Sequence, residues 1–509
     1  MRLRKLLLAT LSYEALPFYL LFLLAVVSTL GSAAPGVSDP DYFWHLSTGR
    51  YISETGAVPG GDPFSFSMKG AEWVLEEWPF QYLVFQIYQL WGHAGNLVMA
   101  ALVMAVSLGI TYRSARLFMA NAFPALILTA AASLPMLAFT APRPHLTTYL
   151  LFAVFLHLLL KAKYLGRHRI LAWLPVIMIV WVNLHGGFMI GLALLLSFLA
   201  GEAVRWFFFD RTENGGARLV TVLGWSFLAC ILASFINIDG PQRLIYPLQV
   251  VGMSINADLA EWRPLNLNDT LPRIFAATLL AYLLALVWRR GKADLTEVAL
   301  PIALSFAAFS AARHLPFAIM TLIPLTARFM SSLALRDGLE DARTRWNWLS
   351  DWIGKMNSPR QGKAAVDGLF CLLVAVAAAV LVPMSVARSL TSEVNPLIEV
   401  ADYLEANPRQ GRMLNAYGDG GYLIWRLFPE TEVFIDGRAG LYRNAFVSDY
   451  FQAATGGRNW RTFLERWDFD YAVLPATLPL AQLMIASGQY HEERRIGAHS
   501  LLLRDRNKD

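Results

Sequence analysis

Charge is what this 509-residue chain has least of. Asp, Glu, Lys and Arg make up 16% of it, against roughly 25% in an ordinary soluble domain. With 56% hydrophobic residues and a mean hydropathy of +0.42, the composition is that of a membrane protein. Cysteine is nearly absent: Cys230 and Cys371 both lie inside apolar runs, which excludes a disulfide framework and a cysteine-based metal site. No HExxH-like spacing is present to suggest a zinc centre. The net charge of +5 and pI near 9.1 do not point to nucleic acid, because the Lys and Arg residues cluster in short loops between apolar runs.

What is present is a series of long apolar stretches. A bilayer core of about 30 Å takes roughly 20 apolar residues per helix. Eleven runs qualify: 15–34, 95–112, 121–140, 146–162, 170–184, 188–208, 219–236, 272–288, 295–311, 315–331 and 365–387. The N-terminus, Met1-Arg2-Leu3-Arg4-Lys5 followed by an apolar stretch to Ala34, could pass for a signal peptide, with Ser32-Ala33-Ala34 as the cleavage site. Its length, its Glu14 and the spans that follow favour an uncleaved span. Segment 76–92, with Gln81, Gln86 and Gln89 among aromatics, reads as a helix lying in the membrane interface, as does 337–356 with Trp346, Trp348 and Trp352.

Basic residues set the orientation. One set of loops carries Arg2/Arg4/Lys5, Arg113/Arg116, Lys161/Lys163/Arg167/Arg169, Arg205/Arg211/Arg218 and Arg289/Arg290/Lys292, with many more between 328 and 363. The opposite loops carry only Arg50 and Lys69, Arg143, Arg243 and Arg263, and Arg313. The positive-inside bias puts the N-terminus in the cytoplasm and, with an odd number of spans, the C-terminus outside. In a bacterial cytoplasmic (inner) membrane that side is the periplasm.

Two parts follow: a multi-span domain over 1–388 with a long first outward loop (35–94), and an extracytoplasmic α/β domain over 389–509. In the second, helices are expected at 395–406, 420–428, 441–454, 460–466 and 478–487. Strands are expected at 412–416, 432–436, 470–474, 490–496 and 499–503. It has no GxGxxG, phosphate-loop or GxSxG motif, so it does not read as a separate soluble enzyme.

Chemistry-capable residues gather on the outward side. The first loop opens Ser38-Asp39-Pro40-Asp41-Tyr42-Phe43-Trp44-His45. Its carboxylates, one residue apart, can share a divalent cation such as Mg²⁺ or Mn²⁺, supply a general base, or simply be solvated. The aromatics beside them read as an amphipathic lip at the membrane surface. Other outward turns bring Arg143 and His145, His185, Glu261 and Arg263, and Arg313 with His314. A histidine in such a turn is either a hydrogen-bonded structural residue or a ligand. The arginines either snorkel or grip a phosphate with a planar fork. Charges at this depth commonly line a cavity or pair with one another.

The stretch Asp39-Pro40-Asp41-Tyr42-Phe43-Trp44-His45 runs on through Gly49-Arg50 and Gly56-Ala57-Val58-Pro59 to Asp62-Pro63. Later come Asn415-Ala416-Tyr417-Gly418-Asp419-Gly420-Gly421-Tyr422 and Val433-Phe434-Ile435-Asp436-Gly437-Arg438. In this layout the chain resembles the GT-C superfamily of membrane glycosyltransferases, and within it the oligosaccharyltransferase catalytic-subunit branch. The resemblance covers most of the chain in organisation and about fifty residues in motif. It implies a GT-C-like fold, a polyprenyl-phosphate-linked sugar donor, and Asp41 as base or metal ligand with Asp39 its partner. It also implies Glu261 as the glutamate of a late outward loop, Arg313 on the phosphate, and Asp419, Tyr422, Asp436 and Arg438 in a substrate-contacting block. The paired tryptophans of the branch's WWDYG segment are missing, as is an acidic residue in the second outward turn, so peptide-sequon recognition is not implied and the acceptor stays open. A protein that binds or transports a polyprenyl-linked glycan, or an assembly scaffold, would share this organisation but would need neither first-loop carboxylate.

The topology makes one prediction. Alkaline phosphatase fused after Asp509 is active and a fusion within 337–360 is not; the reverse pattern would invert the orientation.

Overall fold

A computed structural model describes residues 16–32, 39–209, 214–253, 259–288, 293–334 and 397–505, with positions 376 and 380. Ten of the eleven expected spans fall on helices among the described residues. These are α1 (Leu16–Ser32), the second half of α3 (Trp78–Ala115), α4 (Ala122–Ser133, extended by a 3₁₀ turn Leu134–Phe139), α5 (His145–Leu165) and α6 (Leu174–Leu184, preceded by a 3₁₀ turn His168–Trp173). They continue with α7 (Phe188–Phe208), α8 (Asn214–Ala233), α10 (Thr270–Trp288), α11 (Leu295–Ser310) and α12 (Leu315–Ala334). Among the described residues, six helices are long and apolar enough to cross a bilayer unaided, and three shorter apolar ones accompany them. The chain is a polytopic α-helical membrane protein. The expected span at 365–387 and surface helix at 337–356 lie outside the described residues.

The first outward loop is more ordered than its sequence suggested. Helix α2 (Pro40–Thr55) begins at the aspartate pair. Asp39 is its N-cap, with the side chain accepting from the Asp41 N–H at 3.0 Å, and Pro40 takes the first helical position. Both are the residue types that start a helix, so Asp-Pro-Asp is a helix-initiation signal as well as a pair of carboxylates. Tyr42, Phe43 and Trp44 are not a lip at the membrane surface: all three are buried. The interfacial helix expected at 76–92 and the following span form one run, α3, broken at Trp91 and Gly92. Gly92 sits at φ 60°, ψ −160°, a conformation open essentially to glycine alone, and lets the chain turn from one direction to the other. A further helix, α9 (Gln242–Val251), was not foreseen.

The C-terminal part is α13 (Ile398–Ala406), β1 (Met413–Asn415), α14 (Gly420–Leu427), α15 (Ala439–Ala454), α16 (Trp460–Trp467), β2 (Tyr471–Pro475), α17 (Pro479–Ala486), β3 (Tyr490–Ile496) and β4 (His499–Arg504). The sheet order is β1-β2-β4-β3, with β1 parallel to β2 and the other pairs antiparallel. The strand expected at 432–436 does not join this sheet. The Asn415 side chain holds it instead, donating to the Ile435 carbonyl at 2.7 Å and accepting from the Phe434 N–H at 2.8 Å. Val433 makes a single bridge to Ser65 of the first outward loop. The segment is diverted because it delivers Asp436 and Arg438 to that loop.

There the two parts are locked. The Arg438 guanidinium pairs with Asp436 at 2.6 Å and with Asp62 at 2.5 Å, and Tyr442 donates to Asp436 at 2.7 Å. All three charged side chains are essentially sealed from solvent. Asp62 also accepts from the N–H groups of Phe64 and Ser65, each at 3.1 Å. A single apolar core runs through Tyr42, Phe43, Phe64, Trp73 and Phe80 of the first loop into Leu423, Phe434 and Val473 of the outer domain. A separate core fills the helix bundle. The first loop and the outer domain are thus one folded body standing on the bundle.

Removing one partner of a buried ion pair costs about 3–5 kcal/mol because the remaining charge is stranded. Arg438→Met is therefore expected to lower the thermal unfolding temperature of the full chain in detergent and to speed protease cleavage of the outer domain. An unchanged melting profile would show that the lock does not hold the two parts together.

Candidate active site

Between the bundle and the outer body lies a cavity of about 920 Å³. Its polar wall is made from the outward turns. Asp39 and Asp41 come from the start of α2, Arg143 from the turn before α5, and His145 is the first residue of α5. His185 follows α6, Glu261 lies in the 3₁₀ turn Ala260–Trp262, and Arg313 and His314 come from the 3₁₀ turn Ala312–His314. Tyr417, Gly437 and Arg438 contribute from the outer domain. Apolar residues at the outward ends of the spans, among them Leu137, Phe139, Met189, Ile190 and Phe317, line the rest.

Arg143 is the hub. One guanidinium nitrogen is 3.4 Å from Asp39 and 3.3 Å from Glu261, and the other is 2.8 Å from Asp41. Arg313 pairs with the far oxygen of Glu261 at 3.3 Å and stacks over the Trp262 ring at 4.3 Å. The Trp44 indole N–H donates to Asp41 at 3.2 Å. Gly437 closes over the same carboxylate; a β-carbon there would collide with the Asp41 oxygen unless that side chain moved.

Burial and neighbours set the charge states. Burial pushes the Asp41 carboxyl up to about 6 against the pull of Arg143, with Asp39 and Glu261 adding repulsion. Burial would raise Glu261 too, but Arg143 and Arg313 outweigh it and hold that carboxyl below its ordinary range. Burial opposes the Arg143 charge, yet Asp39, Asp41 and Glu261 hold its pKa well above the usual arginine value. Asp41 is therefore an ionised carboxylate at neutral pH that can still take a proton, the state wanted of a general base.

Glu76 and Glu77 also line the cavity, and sequence reasoning missed them. Burial pushes Glu77 up to about 8, with Glu76 adding repulsion, and burial pushes Glu76 up to about 7 despite Arg243. Glu77 lies 3.6 Å from His45 and 3.8 Å from His185, and burial holds both imidazoles well below their usual value and so neutral. The signal was two adjacent acids just ahead of Trp78-Pro79 at a membrane boundary, hidden in a segment assigned to the interface.

Four residues of the expected set are placed elsewhere. Arg263 is exposed, and its carbonyl accepts from the Ala312 N–H at 3.0 Å. Asp419 pairs with His499 at 3.1 Å, away from the cavity lining. The Tyr422 hydroxyl accepts from Arg426 at 3.1 Å while its ring packs edge-on against Phe43. Asp436 is sealed inside the lock with Arg438. Arg438 does reach the lining, but its guanidinium is committed to Asp436 and Asp62.

The donor set does not fit a divalent cation. Asp39 and Asp41, the expected ligands, both face Arg143, and among the described residues no three His, Cys, Asp or Glu side chains are spaced to hold a metal ion.

No protein-family model and no curated protein matches the chain. Solved structures do. The archaeal oligosaccharyltransferase AglB from Archaeoglobus fulgidus, in complex with an inhibitory peptide and a dolichol-phosphate, aligns with a TM-score of 0.57 at 13% identity over 98% of this chain and 75% of its own. The apo form of the Archaeoglobus fulgidus oligosaccharyltransferase gives 0.52 at 16% identity, over 91% and 69%. ArnT from Cupriavidus metallidurans in the apo state gives 0.53 at 14% identity, over 95% and 96%. At such identities the likeness speaks to architecture: this chain has a GT-C-like fold, the fold of membrane glycosyltransferases.

Proposed function

We propose that the chain is a glycosyltransferase that moves a sugar or glycan from a polyprenyl-phosphate-linked donor to an acceptor on the outer face of the cytoplasmic membrane of a bacterium. The observation that carries the reading is the convergence of Asp41, Glu261, Arg143 and Arg313, from four separate chain segments, at one end of a cavity whose other walls are apolar span ends. A lipid-linked phosphate needs both: cationic forks for the phosphate oxygens and an apolar wall for the prenyl chain. The dolichol-phosphate bound by the structurally similar AglB agrees in kind.

In this reading the acceptor nucleophile attacks the anomeric carbon and inverts it. Asp41 takes the proton the nucleophile loses, and the bond from the anomeric carbon to the phosphate oxygen breaks, its electron pair passing to the phosphate. Arg313 has one ion pair among the described residues and faces the cavity, so it is the group to receive that developing charge. Arg143 and Trp44 hold Asp41 in place.

Three outcomes follow for the full chain in detergent or nanodiscs with a polyprenyl-linked donor. Asp41→Asn keeps the size of the side chain and removes the base, and should lower transfer about 10²–10⁴-fold; activity within a few-fold of wild type removes Asp41 from the reaction. In the wild type the base is ionised above its pKa, so transfer should fall as pH drops through about 6. A rate flat down to pH 4.5, near the unperturbed carboxyl value, would contradict that assignment. Arg313→Lys loses the planar fork and should raise the donor KM more than it lowers kcat; unchanged donor use would take the phosphate away from Arg313.

A further inference from the structure

We infer that Arg143 is the built-in cation of this site: Asp39, Asp41 and Glu261 converge on its guanidinium, so Asp41 is positioned by an arginine and the site works without a metal ion. The activity arm of this inference rests on the glycosyl-transfer reading; its metal-binding arm does not.

The geometry is specific. Asp39 and Asp41 come from the first outward loop and Glu261 from a turn more than two hundred residues later, yet all three direct an oxygen at the two terminal nitrogens of one side chain, at 3.4, 2.8 and 3.3 Å. A planar fork with several fixed donors suits three carboxylates at once, which an ammonium would serve less well. Arg143 also has little room to leave. Pro142 and Pro144 flank it, and its own N–H closes the turn on the Ala141 carbonyl at 2.7 Å.

The surroundings count against a second cation. Arg313 lies against Glu261 from the other side, so a dication entering here would meet two guanidiniums. Of the nearby histidines, one ring nitrogen of His145 lies 3.0 Å from the Phe139 carbonyl, and the two of His185 lie 2.8 Å from the Thr148 hydroxyl and 3.8 Å from Glu77. Arginine keeps its charge at any working pH, so this cation can be neither chelated away nor titrated off. Arg143 is then a positioning residue, acting through Asp41.

The test is Mn²⁺ binding by the purified full chain, followed as loss of the free Mn²⁺ EPR signal, beside transfer measured with and without EDTA. Wild type is expected to retain no equivalent of Mn²⁺ and to transfer equally well in EDTA. Arg143→Asp removes the guanidinium from between the three carboxylates and adds a fourth carboxylate nearer the backbone; it is expected to retain one equivalent, lost again when Asp41→Asn is added. A wild-type equivalent of Mn²⁺ that Asp41→Asn removes overturns the inference, as does abolition of wild-type transfer by EDTA, or a folded Arg143→Asp that retains none. If Arg143→Asp does not fold, the wild-type binding measurement decides alone. A chain that transfers no sugar but also binds no Mn²⁺ would count against the glycosyltransferase reading while leaving the built-in cation standing.

Discussion

One guanidinium holds the outward face together. Without Arg143, the carboxylates of Asp39, Asp41 and Glu261 would be left with Arg313 as the other ion-paired cation of the set among the described residues. Like charges repel one another, and the guanidinium between these three offsets that repulsion. The same contact links elements from three parts of the sequence: the cap of α2, the turn before α5 and the turn before α10. That linkage places a carboxylate of raised pKa beside cations at the mouth of the bundle, and the chemistry proposed above follows from it.

A second constraint makes the roof. Buried charges seldom add net stability, since desolvation cancels much of the attraction, but they fix geometry because no other arrangement satisfies them. The Arg438 lock does this between Asp62 and Asp436, and the shared apolar core of loop and outer domain seals it. Gly437, next to Arg438, can then press on Asp41. The outer domain is thereby part of the cavity and reaches Asp41 through Gly437.

Much of this was legible in the sequence. Twenty-residue apolar runs gave the spans, because the thickness of the bilayer imposes that length. The outward Asp, Arg, His and Glu turns could be read as converging, because charges at that depth need partners. Other features depend on tertiary context. Asp39-Pro40-Asp41 looked like loop chemistry because its helix, α2, is buried by aromatics whose partners lie nearly four hundred residues away, such as Tyr422 on Phe43. The extended segment 432–436 has strand character, but the Asn415 side chain takes its backbone hydrogen bonds and keeps it out of the sheet. Asp419, Tyr422 and Asp436 belong to a block whose layout suggested substrate contact, and the structure gives each a protein partner. Glu77 was hidden because nothing local marks an acid whose neighbours, His45 and His185, arrive from other elements.

The most direct measurement is an electron cryo-microscopy map of the full chain in nanodiscs with a polyprenyl phosphate bound. The account predicts phosphate density against the Arg313 guanidinium, on the cavity side of Glu261, with the prenyl chain running along Leu137, Phe139 and Phe317. Phosphate density away from this cavity, or a cavity that takes no lipid while the lipid binds elsewhere on the bundle, would contradict it.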